Sequence, residues 1–146
     1  MYREINQFIY SPSDLCRFMS SPFASWMERY SIEVPGHAYQ TDEADPMQGL
    51  LQRKGELHEA GFVDELRNQG KIIAVIEGID VVEKLKHTQE AMVSGADIIY
   101  QACLELLPFR GFADFMIKVP GKSLLGDYHY EVWDTKLSKS PKPYFA

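Results

Sequence analysis

The sequence predicts an α/β (α+β) chain in which helices flank a mixed sheet. Apolar residues recur at helical spacing between residues 46 and 69 and again between 80 and 95. Three segments, 97–107, 111–119 and 128–137, alternate with the two-residue period of a strand, and proline or glycine turns join them. A short apolar run at 72–76 separates the two helical stretches, so strands and helices are interleaved.

Taken in order, residues 1–10 carry apolar Ile5, Phe8 and Ile9 without a clear period. Ser11 or Ser13 is an N-cap for a helix with Pro12 in its first turn and Leu15, Phe18 and Met19 as apolar positions. Pro22 opens a second helical piece in which Phe23, Trp26, Met27 and Tyr30 recur three and four residues apart. Such an aromatic stripe is expected in the core rather than as a platform for nucleic-acid bases. Residues 31–45, with Pro35, Gly36 and several acids, read as a loop, so residues 1–45 form a helical segment and a loop ahead of a core at 46–146.

The long helix from Pro46 to about Gln69 is marked by Leu50, Leu51, Leu57, Phe62 and Leu66, with Gly70 as its stop. Gly55 lies inside it at a cost of about 1 kcal/mol, which asks for close approach of another backbone or a ligand. Asp80 caps the next helix, Val81, Leu85 and Met92 form its stripe, and Gly95 ends it. In the first long strand Ile98, Tyr100, Ala102, Leu104 and Leu106 alternate with Ile99, Gln101, Cys103, Glu105 and Leu107. That leaves Gln101 and Glu105 on the more polar face, either toward solvent or behind a polar site. Pro108 breaks this strand, Gly111 opens the next, and a turn is expected near Pro120-Gly121. Gly121-Lys122-Ser123 is not a phosphate-binding loop, because Met116 stands where its first glycine must be and no helix pattern follows.

Composition narrows the function classes. Hydrophobic content of 45% and charged content of 25% suit a soluble globular domain rather than a disordered chain. No apolar run approaches the ~20 residues of a membrane helix, and Met1-Tyr2-Arg3-Glu4 lacks the layout of a signal peptide. The expectation is a cytoplasmic protein with no membrane partner. Cys16 and Cys103 are too few and too far apart for a zinc motif or a disulfide framework and read as small buried hydrophobes. A net charge of −6 argues mildly against nucleic acid, yet residues 136–146 hold Lys136, Lys139 and Lys142 and no acid. Lys139 and Lys142 are either a phosphate-contacting strip or a solvated turn.

The pattern that carries chemistry lies in the last two strands. Asp134 and Lys136 share one strand face, while Glu131, Trp133 and Thr135 take the other. Asp114 can meet Asp134 if their strands pair, since neighbouring strands lie roughly 4.8 Å apart. Two carboxylates so placed can grip Mg²⁺ or Mn²⁺, hard ions that prefer oxygen and keep several waters. Lys136, about 7 Å along the strand from Asp134, can orient an attacking water or steady phosphate charge.

Gly55-x-x-His58, Gly111-Phe112-Ala113-Asp114 and Asp134-Thr135-Lys136, in that order, resemble the RecB-like branch of the PD-(D/E)XK nuclease superfamily. Ser11-Pro12-Ser13-Asp14-Leu15 is similar to the Ser-x-x-Leu helix that opens many such nucleases. The resemblance implies a restriction-endonuclease-like fold, with His58, Asp114 and Asp134 as metal ligands, the Thr135 carbonyl as a further one, and Lys136, with the two aspartates, as catalytic. It also implies DNA as the substrate, as single strands or duplex ends, exonuclease action, a helicase in the same or a partner chain, and work in DNA repair or recombination. Some members hold an iron–sulfur cluster, but here Ser20-Ser21-Pro22-Phe23 lacks the first cysteine, which argues against one. The family's later helix with Gln-x-x-x-Tyr and a further strand do not follow Lys136. The expectation is therefore a core truncated at its C-terminus, a fragment whose activity alone is in question. The alternative is a catalytically inactive nucleic-acid-binding or assembly module with the same fold, and a third reading is a hydrolase of small phosphate esters.

Overall fold

The computed structural model describes residues 1–34, 36 and 46–134. They divide into two units, one of residues 1–34, 36 and 105–111 and the other of 46–104 and 112–134.

In the first unit, β1 (Tyr2–Glu4) and β2 (Gln7–Ile9) form an antiparallel hairpin in which Tyr2 faces Ile9 and Glu4 faces Gln7. Sequence periodicity missed it because each strand is too short to show alternation, and its turn residue Ile5 is a β-branched residue at φ +54. Only Ile9 of its apolar residues is fully buried. Helix α1 (Pro12–Ser20) starts from Ser11, whose hydroxyl accepts from Asp14 N while the Asp14 carboxylate accepts from Ser11 N. This reciprocal pair satisfies two donors that a bare helix end would leave open. Burial alone would raise the Asp14 carboxyl, but hydrogen bonds from the Met1 amine and from Ser11 outweigh it and hold it below its ordinary value.

Helix α2 (Pro22–Glu33) follows at once, capped by Ser21 and tied to α1 by an Arg17–Glu28 ion pair. It runs past Tyr30 to Glu33, so the expected loop begins later; residues 35 and 37–45 lie outside the described residues. The Phe23, Trp26 and Tyr30 rings stack in sequence at 6.1 and 5.2 Å, but Phe23 is 70% and Trp26 55% exposed. The stripe is thus a surface ladder among the described residues, not the core its spacing predicts. Arg110 closes this unit, donating to Glu105, Glu4 and the Tyr2 hydroxyl. Gly111 is required there, since a Cβ would stand 2.7 Å from the Pro12 ring.

In the second unit, α3 (Pro46–Asn68), β3 (Ile73–Val75) and α4 (Val81–Ser94) precede β4 (Ile98–Leu106), β5 (Phe109–Ser123) and β6 (Gly126–Trp133), the end of β4 and the start of β5 being counted with the first unit. The four strands form one mixed sheet in the order β3-β4-β5-β6, with β3 parallel to β4 and β5 antiparallel to β6. α4 is the crossover that a parallel neighbour demands. Successive residues of the inner strands serve opposite faces: Ile98 and Phe115 pack with Val63 and Leu66 of α3, whereas Ile99 and Met116 pack with Ala91 of α4. Each sheet face therefore carries one helix.

The C-terminal turn of α4 is fastened to β5 and β6 by polar side chains. Tyr128 Oη donates to Met92 O at 2.9 Å, Lys118 Nζ to Gly95 O at 2.6 Å and Tyr130 Oη to Ala96 O at 2.7 Å. Met92 belongs to the last turn of α4, and Gly95 and Ala96 follow that helix directly. Burial pushes the Tyr130 phenol up to about 12, with Tyr128 and Asp97 adding to it.

The β5–β6 turn lies later than Pro120-Gly121. Ser123 pairs with Gly126 around Leu124 and Leu125, and the register slips between Pro120 and Ser123. Gly121 sits in that bulge because a Cβ would stand 2.6 Å from His129 Nδ1.

Candidate functional site

The two aspartates stand at the same end of a strand pair. The β5–β6 ladder runs outward to Phe115 opposite Trp133, and the next residues beyond that pair are Asp114 and Asp134. Asp114 is half-buried between the buried residues Ala113 and Phe115, and Asp134 is exposed just past β6. Strand pairing thus brings the two acids to neighbouring strand positions, as their sequence pattern requires.

His58 lies on α3 and is exposed. Among the described residues no group of three or more His, Cys, Asp and Glu is arranged to hold a metal ion. Gly55 also differs from expectation: nothing lies within 4 Å of where its Cβ would be, so packing does not require it. Thr135 and Lys136, with Lys139 and Lys142, lie outside the described residues.

The residue after His58 is the one tied to the sheet. Glu59 Oε2 accepts from Tyr100 Oη at 3.2 Å and from Gln101 Nε2 at 3.3 Å. The Tyr100 phenol is raised, first by burial and then by the charge of Glu59, with Asp114 contributing. Glu59 and Asp114 therefore act on one hydroxyl from α3 and β5.

Local backbone geometry makes this possible. Gln101 holds φ +59, which is uncommon for a residue other than glycine. Ile99, Ala102 and Leu104 all pack with the α4 cluster, a spacing of three and then two, as expected when one extra residue is inserted near Gln101. Ala113 and Met116 share that cluster as well, again three apart, so strand alternation also slips in the interval holding Asp114. Gln101, half-buried, thus turns its amide to Glu59 rather than to the face that strict alternation assigns. Glu105 is ion-paired with Arg110 in the first unit.

Sequence reasoning missed Glu59 and Tyr100, which alternation and helical period class as a flanking acid and an apolar-face residue. The acid directly after His58 was the available signal. Chemically, the donors suit a hard divalent cation, which binds through one or two carboxylates and keeps its own waters. Asp114 and Asp134 offer two carboxylates at adjacent strand positions. No protein-family model matches the chain, and neither a curated protein nor a solved structure matches it.

Proposed function

We propose that this chain is the catalytic part of a Mg²⁺- or Mn²⁺-dependent DNA nuclease of the RecB-like type. The observation that carries the reading is the β5–β6 ladder, which ends with Asp114 and Asp134 as the next residues on adjacent strands. In this reading Asp114 and Asp134 hold the ion, His58 and the Thr135 carbonyl complete its protein ligands, and Lys136 orients the water and steadies the phosphate. The ion, when bound, lowers the pKa of a water and offsets charge on the scissile phosphate. The motif order further supports DNA, single-stranded or at duplex ends, as the substrate, and a helicase as the partner that would supply it.

The second reading, an inactive nucleic-acid-binding or assembly module, draws on a different observation: no three-ligand group forms among the described residues. Net acidity of −6, which argues mildly against nucleic acid, favours the assembly form of that module. Cleavage of labelled single-stranded DNA with and without Mn²⁺, by the wild type, Asp114→Ala and Lys136→Ala, separates the two. The nuclease reading expects cutting that needs the metal and falls at least a hundredfold in both variants. Equal cutting by all three proteins rejects it, and no cutting by any favours the module.

A further inference from the structure

Two consecutive side chains of β4 reach the same carboxylate oxygen. In an unbroken strand Tyr100 and Gln101 leave opposite faces, yet both donate to Glu59 Oε2, at 3.2 and 3.3 Å. The left-handed backbone at Gln101 turns the two to one side. Holding a residue other than glycine there strains the backbone. Glycine would satisfy the backbone without that strain; it would lack the amide that reaches Glu59.

We propose that Gln101 is a positioning residue of the nuclease site: its amide, together with the Tyr100 phenol, fixes the Glu59 carboxylate and with it the segment of α3 that carries His58. The inference rests on the nuclease reading and deepens it. Strain of this kind persists where surrounding structure enforces it, and such positions concentrate at functional sites. The arrangement is also economical in donors. Both bonds fall on one oxygen, Oε2. Asp114 belongs to the same neighbourhood, because the Tyr100 ring lies 5.1 Å from that of Phe115, the residue that follows Asp114 on β5.

The test uses the full chain and three variants, Gln101→Gly, Gln101→Asn and Tyr100→Phe. Each is assayed for cutting of a labelled single-stranded oligonucleotide across a Mn²⁺ titration, and each is melted. Gln101→Gly should melt at or above the wild-type temperature, because its backbone strain is gone. Its cutting should nevertheless fall at least tenfold, with more Mn²⁺ needed for half-maximal rate. Gln101→Asn, which tolerates the same backbone and keeps a shorter amide, should lie between. Should Gln101→Gly fail to fold, Tyr100→Phe removes the second donor without touching the backbone and should lose cutting at an unchanged melting temperature.

Wild-type rates and Mn²⁺ dependence in a folded Gln101→Gly, or in Tyr100→Phe where the former does not fold, would overturn the positioning role and leave the nuclease reading intact. A wild type that cuts nothing, or an Asp114→Asn that cuts as well as wild type, would remove the nuclease reading and this inference with it.

Discussion

Ile5 is the first of two residues in the β1–β2 turn, holds φ +54 and is 93% exposed. A positive φ at the first central position is the type II′ pattern, where glycine is favoured. Ile5→Gly should therefore raise stability by about 1 kcal/mol, since a strained backbone is relieved and almost no buried surface is lost. A urea titration with a higher midpoint and an unchanged slope is the expected result. Thr88 is the opposite case, a buried hydroxyl with no freedom to spare: it donates to Lys84 O at 2.8 Å and accepts from Cys103 N at 3.0 Å. Thr88→Val keeps the shape but removes the hydroxyl to which the Cys103 amide donates. The expected loss is about 1–3 kcal/mol, read as a lower midpoint in the same titration. Neither effect is visible in the sequence, where Ile5 reads as an apolar residue and Thr88 as a lone hydroxyl in line with Val81, Leu85 and Met92. Both depend on a dihedral or a partner far along the chain, which residue type alone does not specify.

Among the elements, α1, α4 and the last three strands were legible because their signals are local. Ser11, Asp80 and Gly95 cap the helices that the chain folds into, and glycine or proline punctuates the strands. What was illegible is where the two-residue period slips, near Gln101 and within residues 113–116. A bulge leaves residue types unchanged while moving every later side chain to the other face. The start of β4 shows the same dependence on distant partners. Asp97 accepts from Ile72 N at 3.0 Å and pairs with Lys118 at 3.3 Å. The hydrogen bond from Ile72 comes first among the causes and, with Lys118 adding to it, holds the carboxyl below its ordinary value despite some desolvation. A depressed carboxyl contributes stability above the unfolded-state pKa of about 3.9 and loses it as pH falls through the lower folded value. Melting curves from pH 7 to pH 2 should show Asp97→Asn less stable than wild type near neutrality, with the gap narrowing below about pH 4.

For the molecule as a whole, the mixed sheet with one helix on each face agrees with the sequence expectation at the level of α/β class. The candidate site was legible in part. Asp114 and Asp134 were readable because strand pairing follows from two short alternating segments and a hairpin between them. Glu59 and Gln101 were not, since their meeting joins α3 to an irregular point of β4. Gly55 bears on how α3 serves the site: with open space around it, Gly55→Ala should stabilise the helix by up to about 1 kcal/mol. A raised melting temperature with retained cutting would assign Gly55 no part in ligand approach, whereas a raised melting temperature with lost cutting would place a ligand against it.

The central claim is that Asp114 and Asp134 share one ion, and calorimetric titration of the full chain with Mn²⁺ tests it most directly. One site is expected in the wild type, weakened at least tenfold by Asp114→Asn and by Asp134→Asn alike, with the double variant little worse than either because both remove the same interaction. Wild-type affinity in both single variants, or losses that simply add in the double, would mean that the two carboxylates do not serve a common ion.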